Sequence, residues 1–170
     1  MMNKAVGKYL VISVAFAVIW ILIEHVAGFN TTRHDIGQFT RNANMIVFWV
    51  TIFLAIREAR KNQGNKLSFG DGMKTGVALT VLYSLAFVVI ILLYVQFINP
   101  DFYATYKAFT LNQLTAANAT PKQMEEAMKE VDMSYDGSPQ SYGLLFLFSA
   151  IFGTVLSLIA SLIYRTKSVS

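Results

Sequence analysis

Four long apolar stretches dominate this 170-residue chain and restrict what it can fold into. A bilayer core needs about 20 residues of helix, and three of the stretches are long enough to cross it without help. Only 14% of the residues are charged, whereas a soluble domain carries roughly 25%. The composition therefore favours lipid as the solvent. The stretches are 6–29, 43–56, 77–98 and 142–164.

The second apolar stretch, 43–56, is the short one. It can reach across the bilayer if Arg41, Arg57 and Arg60 extend their charged ends to the two interfaces. The alternative is a segment that only dips into the membrane. We favour crossing, because the remaining loops then fall on two chemically distinct sides. With polar ends included, we predict an all-α four-helix transmembrane bundle, one domain over 1–170, with spans at about 6–29, 42–62, 70–98 and 141–165.

Basic residues are concentrated on the side of the membrane that would hold both termini. Nine of the fourteen Lys and Arg residues fall there, but only two of the ten acidic residues do. Because cytoplasmic loops carry an excess of Lys and Arg, both termini are predicted to be cytoplasmic. Anionic lipid headgroups explain such a patch without any nucleic acid. The nine are Lys4, Lys8, Arg57, Arg60, Lys61, Lys66, Lys74, Arg165 and Lys167.

A polar segment of about 99–140 separates the third and fourth spans and forms a predicted external helical insert. Asn99-Pro100 is typical of an N-cap followed by proline at the first helical position. Thr120-Pro121 repeats the pattern, and Gln123 completes a capping box. We expect the helices to pack on the bundle or to lie in the interface. Their predicted bounds are 100–117 and 121–132.

Small residues recur at every fourth position along the third and fourth spans. Helices in lipid associate where small residues let their backbones approach closely. The simplest inference is that the third and fourth helices touch along these two rows. The alternative is that one row faces a second copy of the chain. The rows are Gly72, Gly76, Thr80 and Ser84 on the third span, and Ser149, Gly153, Ser157 and Ser161 on the fourth.

The loop KLSFGDGMKTG, residues 66–76, has the glycines and lysines of a phosphate loop but not the spacing. It fits neither G-x-x-x-x-G-K-[ST] nor G-x-G-x-x-G, and no strand precedes it. Ser68 followed by Asp71 instead predicts a helix cap. Glu58 is expected to pair with a neighbouring base, Arg57, Arg60 or Lys61. A lipid headgroup or a protein partner could contact the basic residues at this end: Arg57, Arg60, Lys61, Lys66 and Lys74.

Two pairs, Glu24-His25 and His34-Asp35, are the side chains best suited to catalysis or metal binding. Together they could hold zinc or manganese. Yet adjacent helical residues point about 100° apart, so we expect interfacial anchoring and predict neither metal nor cofactor. No span centre carries a charge, which argues against an ion-coupled transporter. The polar side chains left as candidates for a path are Thr51, Tyr83, Tyr94 and Gln96.

The segment NKLSFGDGMKTGVALTVLYSLAFVVIILLYVQFINPDF resembles the core of a Bacteroidota inner-membrane family, domain of unknown function 4199. The matching residues are Ser68-Phe69-Gly70, Lys74, Gly76 and the run from Ile98 to Phe102. The helix after Thr120 and the end of the fourth span, Arg165-Thr166-Lys167, also look like the family. The chain has Asp71 and Gly72 where members usually have Lys or Ala. The resemblance implies a four-helix protein of the bacterial cytoplasmic membrane, and it brings no catalytic residues.

Three functions are compatible with these observations. The first, which we favour, is a non-enzymatic structural or partner-binding component of a membrane complex, acting with a protein partner or as a homo-oligomer. The second is a small transporter or lipid-binding membrane protein. The third is an enzyme that uses Glu24, His25, His34 and Asp35 at the outer mouth. The absence of cysteine excludes a disulfide framework, a thiol nucleophile and a thiolate metal site.

Overall fold

The computed structural model describes residues 4–166, and within that range every regular element is a helix. The prediction of an all-α protein is confirmed. The third long helix ends in a short π-helical turn, Tyr94–Ile98. The α-helices are α1 (Lys4–Val26), α2 (His34–Thr40), α3 (Asn42–Asn62), α4 (Phe69–Leu93), α5 (Phe102–Ala116), α6 (Pro121–Tyr135) and α7 (Pro139–Tyr164).

Four helical stretches of the described chain are long and apolar enough to cross a membrane, which agrees with the predicted number. The second of them combines α2 and α3, and its charged last turn continues to Asn62. The outward faces of these helices are apolar, as lipid requires: more than half of the surface of Val11, Leu85 and Ile151 is exposed. The stretches are Lys4–Val26, His34–Asn62, Phe69–Ile98 and Pro139–Tyr164.

The bundle is organised around the antiparallel pair α4 and α7, which make the closest helix contact in the described structure. Helix α1 packs on α3 and α4, while α3 also packs on α7. Ile52, Ile56 and Leu79 are fully buried between these helices. The rings of Phe48 and Tyr83 stack with centroids 4.0 Å apart. The core of the protein therefore lies between the spans.

The loop after α3 is fastened to the end of α7. Thr166 donates its backbone N–H to the carbonyl of Leu67 at 2.9 Å, and Leu67 donates its own to Thr166 Oγ1 at 3.0 Å. Ser68 caps α4 by accepting the backbone N–H of Asp71 at 3.0 Å, which confirms the predicted cap. Lys167, counted among the basic residues above, lies outside the described residues.

The opposite end of the bundle departs from two local expectations. Residues 30–41, which the predicted spans 6–29 and 42–62 leave as a connecting loop, contain the short helix α2. Asn99 does not cap α5, whose N-cap is Asp101. Asn99 instead donates its amide to the carbonyl of Asn30 at 2.8 Å and to Tyr94 Oη at 3.1 Å. The side chain of Asn99, which the local pattern predicted to cap a helix, thus forms tertiary hydrogen bonds instead.

The capping box at Thr120 is confirmed. Thr120 Oγ1 accepts the backbone N–H of Gln123 at 3.4 Å, and Gln123 Oε1 accepts the backbone N–H of Thr120 at 2.8 Å. Helix α6 therefore begins at Pro121, as predicted, but runs to Tyr135, three residues beyond the expected end. Together α5 and α6 form a helical hairpin, residues 102–135, between α4 and α7 in the chain.

Candidate functional site

The two rows of small residues face each other across the α4–α7 interface. A Cβ built on Gly76 would lie 2.4 Å from Ser157 Oγ, and one built on Gly153 would lie 2.5 Å from Thr80 Cγ2. Farther along, Ser84 donates a hydrogen bond to Ser149 Oγ at 2.9 Å. Gly72 lies against Ser161 at the other end. Because the backbones come this close, the structure places all eight small residues in one contact between α4 and α7.

The basic residues singled out at the loop end remain on the surface. Arg57, Lys61, Lys66 and Lys74 are exposed, and Arg60 is half-buried with its Nε donating to the carbonyl of Asn65 at 3.1 Å. These side chains are free to meet headgroups at a membrane surface.

The expected pairing of Glu58 with a neighbouring base is wrong. Glu58 pairs with Lys8 of α1, with Nζ and Oε2 2.5 Å apart. The bases within one helix turn of Glu58 indicated a partner on the same helix. The packing of α1 on α3 instead brings Lys8 of the neighbouring helix to Glu58.

The four side chains considered for catalysis do not converge. His25 Nδ1 shares a hydrogen bond with Tyr94 Oη at 3.1 Å, while His34 Nε2 shares one with Thr105 Oγ1 at 3.0 Å. Asp35 is exposed, and Glu24 points into the bundle. Within residues 4–166, no group of three His, Cys, Asp or Glu side chains could hold a metal ion. The structure thus separates side chains that the sequence had grouped.

Two of the polar candidates in the spans are satisfied within the bundle. Thr51 Oγ1 lies 2.8 Å from Ser13 Oγ and also donates to the carbonyl of Phe48 at 2.7 Å. Tyr94 Oη belongs to the network of His25 and Asn99. Tyr83 is stacked between the rings of Phe48 and Phe87, whereas Gln96 is exposed on the π-helical turn. Tyr83 and Tyr94 line two adjoining cavities described below, whereas Thr51 and Gln96 line neither.

Glu24 is the only acidic residue of the described chain that is completely buried. Its Oε1 accepts the hydroxyl of Thr40 at 2.5 Å, and its Oε2 accepts the amide of Asn30 at 3.3 Å. Trp20 donates its indole N–H to the carbonyl of Thr40 at 3.0 Å, which holds α2 against α1. No Lys, Arg or His within residues 4–166 forms an ion pair with this carboxylate. A completely buried carboxyl group without an ionic partner is rare, which makes Glu24 the most unusual polar group in the fold.

A cavity of about 350 Å³ lies beside Glu24, at the end of the bundle that carries the α5–α6 hairpin. Its walls come from α1, α3, α4, the π-helical turn, α5, α6 and α7, and they are mostly apolar. A second cavity of about 270 Å³ adjoins it, because Asn44, Met45, Phe87 and Leu145 line both. The second cavity extends deeper between α3, α4 and α7, toward Phe48, Trp49 and Phe152. We call the two together the Glu24 cleft.

Three residues that line the upper cavity each have a buried side-chain atom without a hydrogen-bond partner. These atoms are Asn30 Oδ1, Asn44 Oδ1 and Arg41 Nη2. Buried polar groups are usually paired, so their concentration around one cavity is informative. Sequence reasoning selected Asn99 only as a helix cap, and it did not select Asn30 or Asn44 at all. The only available signal was that these amides stand at the edges of apolar spans, where many polar residues do.

Arg41 fixes the hairpin above the cleft. Its guanidinium lies over the ring of Tyr106 at 4.6 Å, over Phe102 at 5.4 Å and over Tyr135 at 5.9 Å. Its Nε donates to the carbonyl of Gly37 at 3.0 Å. One side chain at the start of α3 therefore holds α2, α5 and α6 together. Its planar cation suits this stacking better than an ammonium would.

The two helices of the hairpin are also joined by an ion pair. Lys107 Nζ and Tyr103 Oη both donate to Asp132 Oδ1 at 2.6 Å. These two donors hold the pKa of Asp132 below its ordinary value, since they favour the charged carboxylate. The same bond to Asp132, helped by Tyr103, raises the pKa of Lys107. Both charges are therefore retained over a wide range of pH.

Comparison with known proteins identifies one related family and no characterised relative. The model of DUF4199, described as a protein of unknown function, matches residues 8–166. No curated protein matches the chain, and no solved structure does either. The match begins within the first candidate span and includes the other three, the hairpin and the residues of the Glu24 cleft.

Proposed function

The chain belongs to the DUF4199 family, whose function is unknown, and we propose that it is a non-enzymatic structural or partner-binding component of a membrane complex. The membrane is the bacterial cytoplasmic membrane, with both termini in the cytoplasm and the α5–α6 hairpin outside. The uneven distribution of Lys and Arg supports that orientation. Restriction to Bacteroidota belongs to the same proposal and is supported by the resemblance of the sequence alone.

The α5–α6 hairpin carries this proposal. Arg41 holds it on the bundle, and the pair of Lys107 and Asp132 joins its two helices, so it offers a preformed surface. Val131 of α6 is buried, whereas a row of charged residues on the same helix is exposed. A rigid platform with mixed charges suits the docking of a protein partner, because little ordering cost accompanies binding. The exposed residues are Lys122, Glu125, Glu126, Lys129 and Glu130.

The separation of the acid–base side chains supports a non-enzymatic role. Glu24, His25 and His34 each bond to a different neighbour and not to one another. General acid–base catalysis needs such groups within reach of one substrate atom. The enzyme hypothesis would require a bound metal or a measurable turnover that is lost on His25→Ala or His34→Ala.

The experiment is purification in mild detergent followed by mass spectrometry and by measurement of the mass of the intact complex. The proposal expects a partner, or a second copy, in fixed stoichiometry. A variant with Lys122, Glu126 and Lys129 changed to Ser should lose it, whereas Lys66→Ser and Lys74→Ser should not. Isolation as a monomer under every gentle condition, with no partner sensitive to the hairpin surface, would count against the proposal.

A second candidate function, a small transporter or lipid-binding protein, is favoured by the Glu24 cleft. The upper cavity alone, about 350 Å³, falls in the size range of small-molecule sites. The tight contact of Gly76 with Ser157 favours lipid binding over transport. Transport requires helices to move apart, and a contact of this kind opposes that movement. Loss of co-purified lipid on Lys66→Ala or Lys74→Ala would instead indicate a headgroup site at the loop end.

A further inference from the structure

We propose that the Glu24 cleft binds one membrane amphiphile, with its alkyl chain in the lower cavity and a zwitterionic head in the upper cavity. The head carries an ammonium group, which Glu24 recognises, and an anionic group, which Arg41 recognises. This proposal rests on lipid binding, the second of the two functions proposed above. Four observations carry it: the length of the cleft, its lining, its unpaired acceptors and its single cation.

The length of the cleft matches one leaflet of a bilayer. Along α4 and the π-helical turn, the lining runs from Tyr83 to Val95. At 1.5 Å per residue, that distance is about 18 Å. The hydrocarbon core of a bilayer is about 30 Å thick, so one leaflet measures about 15 Å. An alkyl chain that enters at the hairpin end would therefore reach the bottom of the cleft near the middle of the membrane.

The lining changes from polar to apolar along that length. Glu24, Asn30 and Arg41 belong only to the upper cavity. The lower cavity is lined mostly by aromatic and aliphatic side chains, among them Trp49 and Phe152, and its polar lining residues are Asn44 and Ser149. An amphiphile satisfies both halves at once, whereas a sugar or an inorganic ion would leave the lower half empty.

Acceptors predominate in the upper cavity, which selects a head that donates hydrogen bonds. The Glu24 carboxylate accepts only two hydrogen bonds from the protein, although its two oxygens can accept about four. Asn30 Oδ1 and Asn44 Oδ1 accept none. An ammonium group offers several donors and one positive charge. It would pair the buried carboxylate and donate to the amide oxygens that have no partner.

Arg41 supplies the complementary charge. Three aromatic rings surround its guanidinium, but a ring face neutralises no charge, and its Nη2 has no hydrogen-bond partner. An anionic group on the ligand would accept a charge-assisted hydrogen bond from Nη2 and balance the positive charge of Arg41. One acidic and one basic side chain in the same cavity thus favour a head that carries both charges, which distinguishes a zwitterion from a purely anionic lipid.

The position of the hairpin disfavours a protein occupant. Ser134 and Tyr135 of α6 and Gly137, just after it, form part of the lining of the upper cavity. A helix of a partner would have to displace these residues in order to enter the cavity, whereas one alkyl chain would not.

The test uses the full chain in detergent and lysolipids whose acyl chain is brominated. Bromine quenches tryptophan at short range, and Trp49 lines the lower cavity. The chain contains two tryptophans, and Trp20 is kept because its indole donates to Thr40, which bonds to Glu24. The Trp49 signal is therefore the difference between the unmodified chain and Trp49→Phe, which serves as the blank. Three probes are compared: lysophosphatidylethanolamine, which has both charges, lysophosphatidylglycerol, which lacks the ammonium, and an alkylammonium surfactant, which lacks the anion.

We expect the ethanolamine probe to quench Trp49 at the lowest concentration. Glu24→Gln keeps the side-chain shape and should weaken that probe by about tenfold or more, while changing the glycerol probe little. Asn44→Leu should weaken it as well and gives a second test if Glu24→Gln does not fold. Lys74→Gln, at the far end of the bundle, is the matched control and should bind all three probes as the unmodified chain does.

The possible failures are distinguishable. If no probe quenches Trp49 above the Trp49→Phe blank, both lipid binding in the cleft and this inference are overturned. If the three probes bind equally, and Glu24→Gln and Asn44→Leu change none of them, the chain binds lipid but the assignment of a zwitterionic head is wrong. The proposal of a partner on the hairpin is untouched by either result.

Discussion

Gly76 of α4 and Ser157 of α7 lie so close that a Cβ added to Gly76 would fall 2.4 Å from the serine Oγ and 2.5 Å from its Cβ. Real Cβ atoms do not approach other atoms to that distance. Ser157 is itself held in place, because its hydroxyl donates to the carbonyl of Gly153 at 2.7 Å. The two helices therefore meet at a point where neither side can give way cheaply.

Gly76→Ala should destabilise the protein by about 1–3 kcal/mol, since the added methyl group forces α4 and α7 apart. The measurement is the free energy of unfolding in mixed detergent micelles. Combining it with Ser157→Gly should recover part of the loss, because the atoms that the methyl group meets are removed.

Gly143→Ala is the matched control for that substitution. Like Gly76, Gly143 lies within a helix, here α7, but a Cβ built on it would meet nothing within 4 Å. Its replacement should leave stability unchanged or raise it by up to about 1 kcal/mol, because alanine favours the helix. Equal effects of Gly76→Ala and Gly143→Ala would show that the close contact does not stabilise the bundle.

The α4–α7 contact illustrates what the sequence can predict. Small residues at every fourth position mark one helix face, and a face of that kind has few uses in lipid other than close packing. The helix caps at Ser68 and Thr120 were predictable for a similar reason: each depends on residues three apart in the chain.

The errors and omissions concern partners that are distant in the chain. Glu58 has bases within one turn, yet it binds Lys8, 50 residues away. Asn99 stands before a proline like a cap residue, yet it bonds to Asn30, 69 residues away. The Glu24 cleft is assembled from several helices. No spacing rule joins such residues, because their proximity is created by the packing of the helices.

Arg41→Ala should loosen the α5–α6 hairpin without unfolding the spans. Each cation–π contact contributes about 0.5–2 kcal/mol, and this side chain contacts three rings. Amide hydrogen exchange should rise in residues 102–135 and remain unchanged in α4 and α7. Arg41→Lys should give an intermediate effect, because a lysine keeps the charge but not the planar stacking.

Arg33→Ala provides the control for that substitution. Arg33 lies over the ring of Phe29 at 5.4 Å and contacts none of the hairpin rings. Hairpin exchange should stay as in the unmodified chain. Equal exchange in the Arg41→Ala and Arg33→Ala variants would contradict the role given to Arg41.

The hairpin should also loosen in acid. The pKa of Asp132 is held below its ordinary 3.8 by Lys107 and Tyr103. A carboxyl whose pKa is lowered on folding stabilises the fold above its unfolded value, and this stabilisation is lost as the pH falls through the folded value. Contact between α5 and α6, followed by hydrogen exchange of α6, should be constant near neutral pH and weaken below about pH 4.

Asp132→Asn should remove most of this pH dependence and show faster exchange of α6 already at neutral pH. Glu126→Gln is the control, because Glu126 is exposed and lies 3.9 Å from Lys122. It should leave the acid transition of the hairpin unchanged. A transition that persists in Asp132→Asn would assign the acid sensitivity to another group.

The proposed orientation can be tested by single cysteines, because the natural chain contains none. Asn62→Cys and Glu125→Cys place a thiol at exposed positions, at the end of α3 and on α6. If both termini are cytoplasmic, a maleimide that cannot cross membranes should label Glu125→Cys on intact bacterial spheroplasts. It should label Asn62→Cys only after the membrane is opened. The basic residues near Asn62 favour this result, since they resist translocation. The opposite labelling would invert the proposed orientation, and equal labelling of both thiols on intact spheroplasts would contradict the separation of these segments by the membrane.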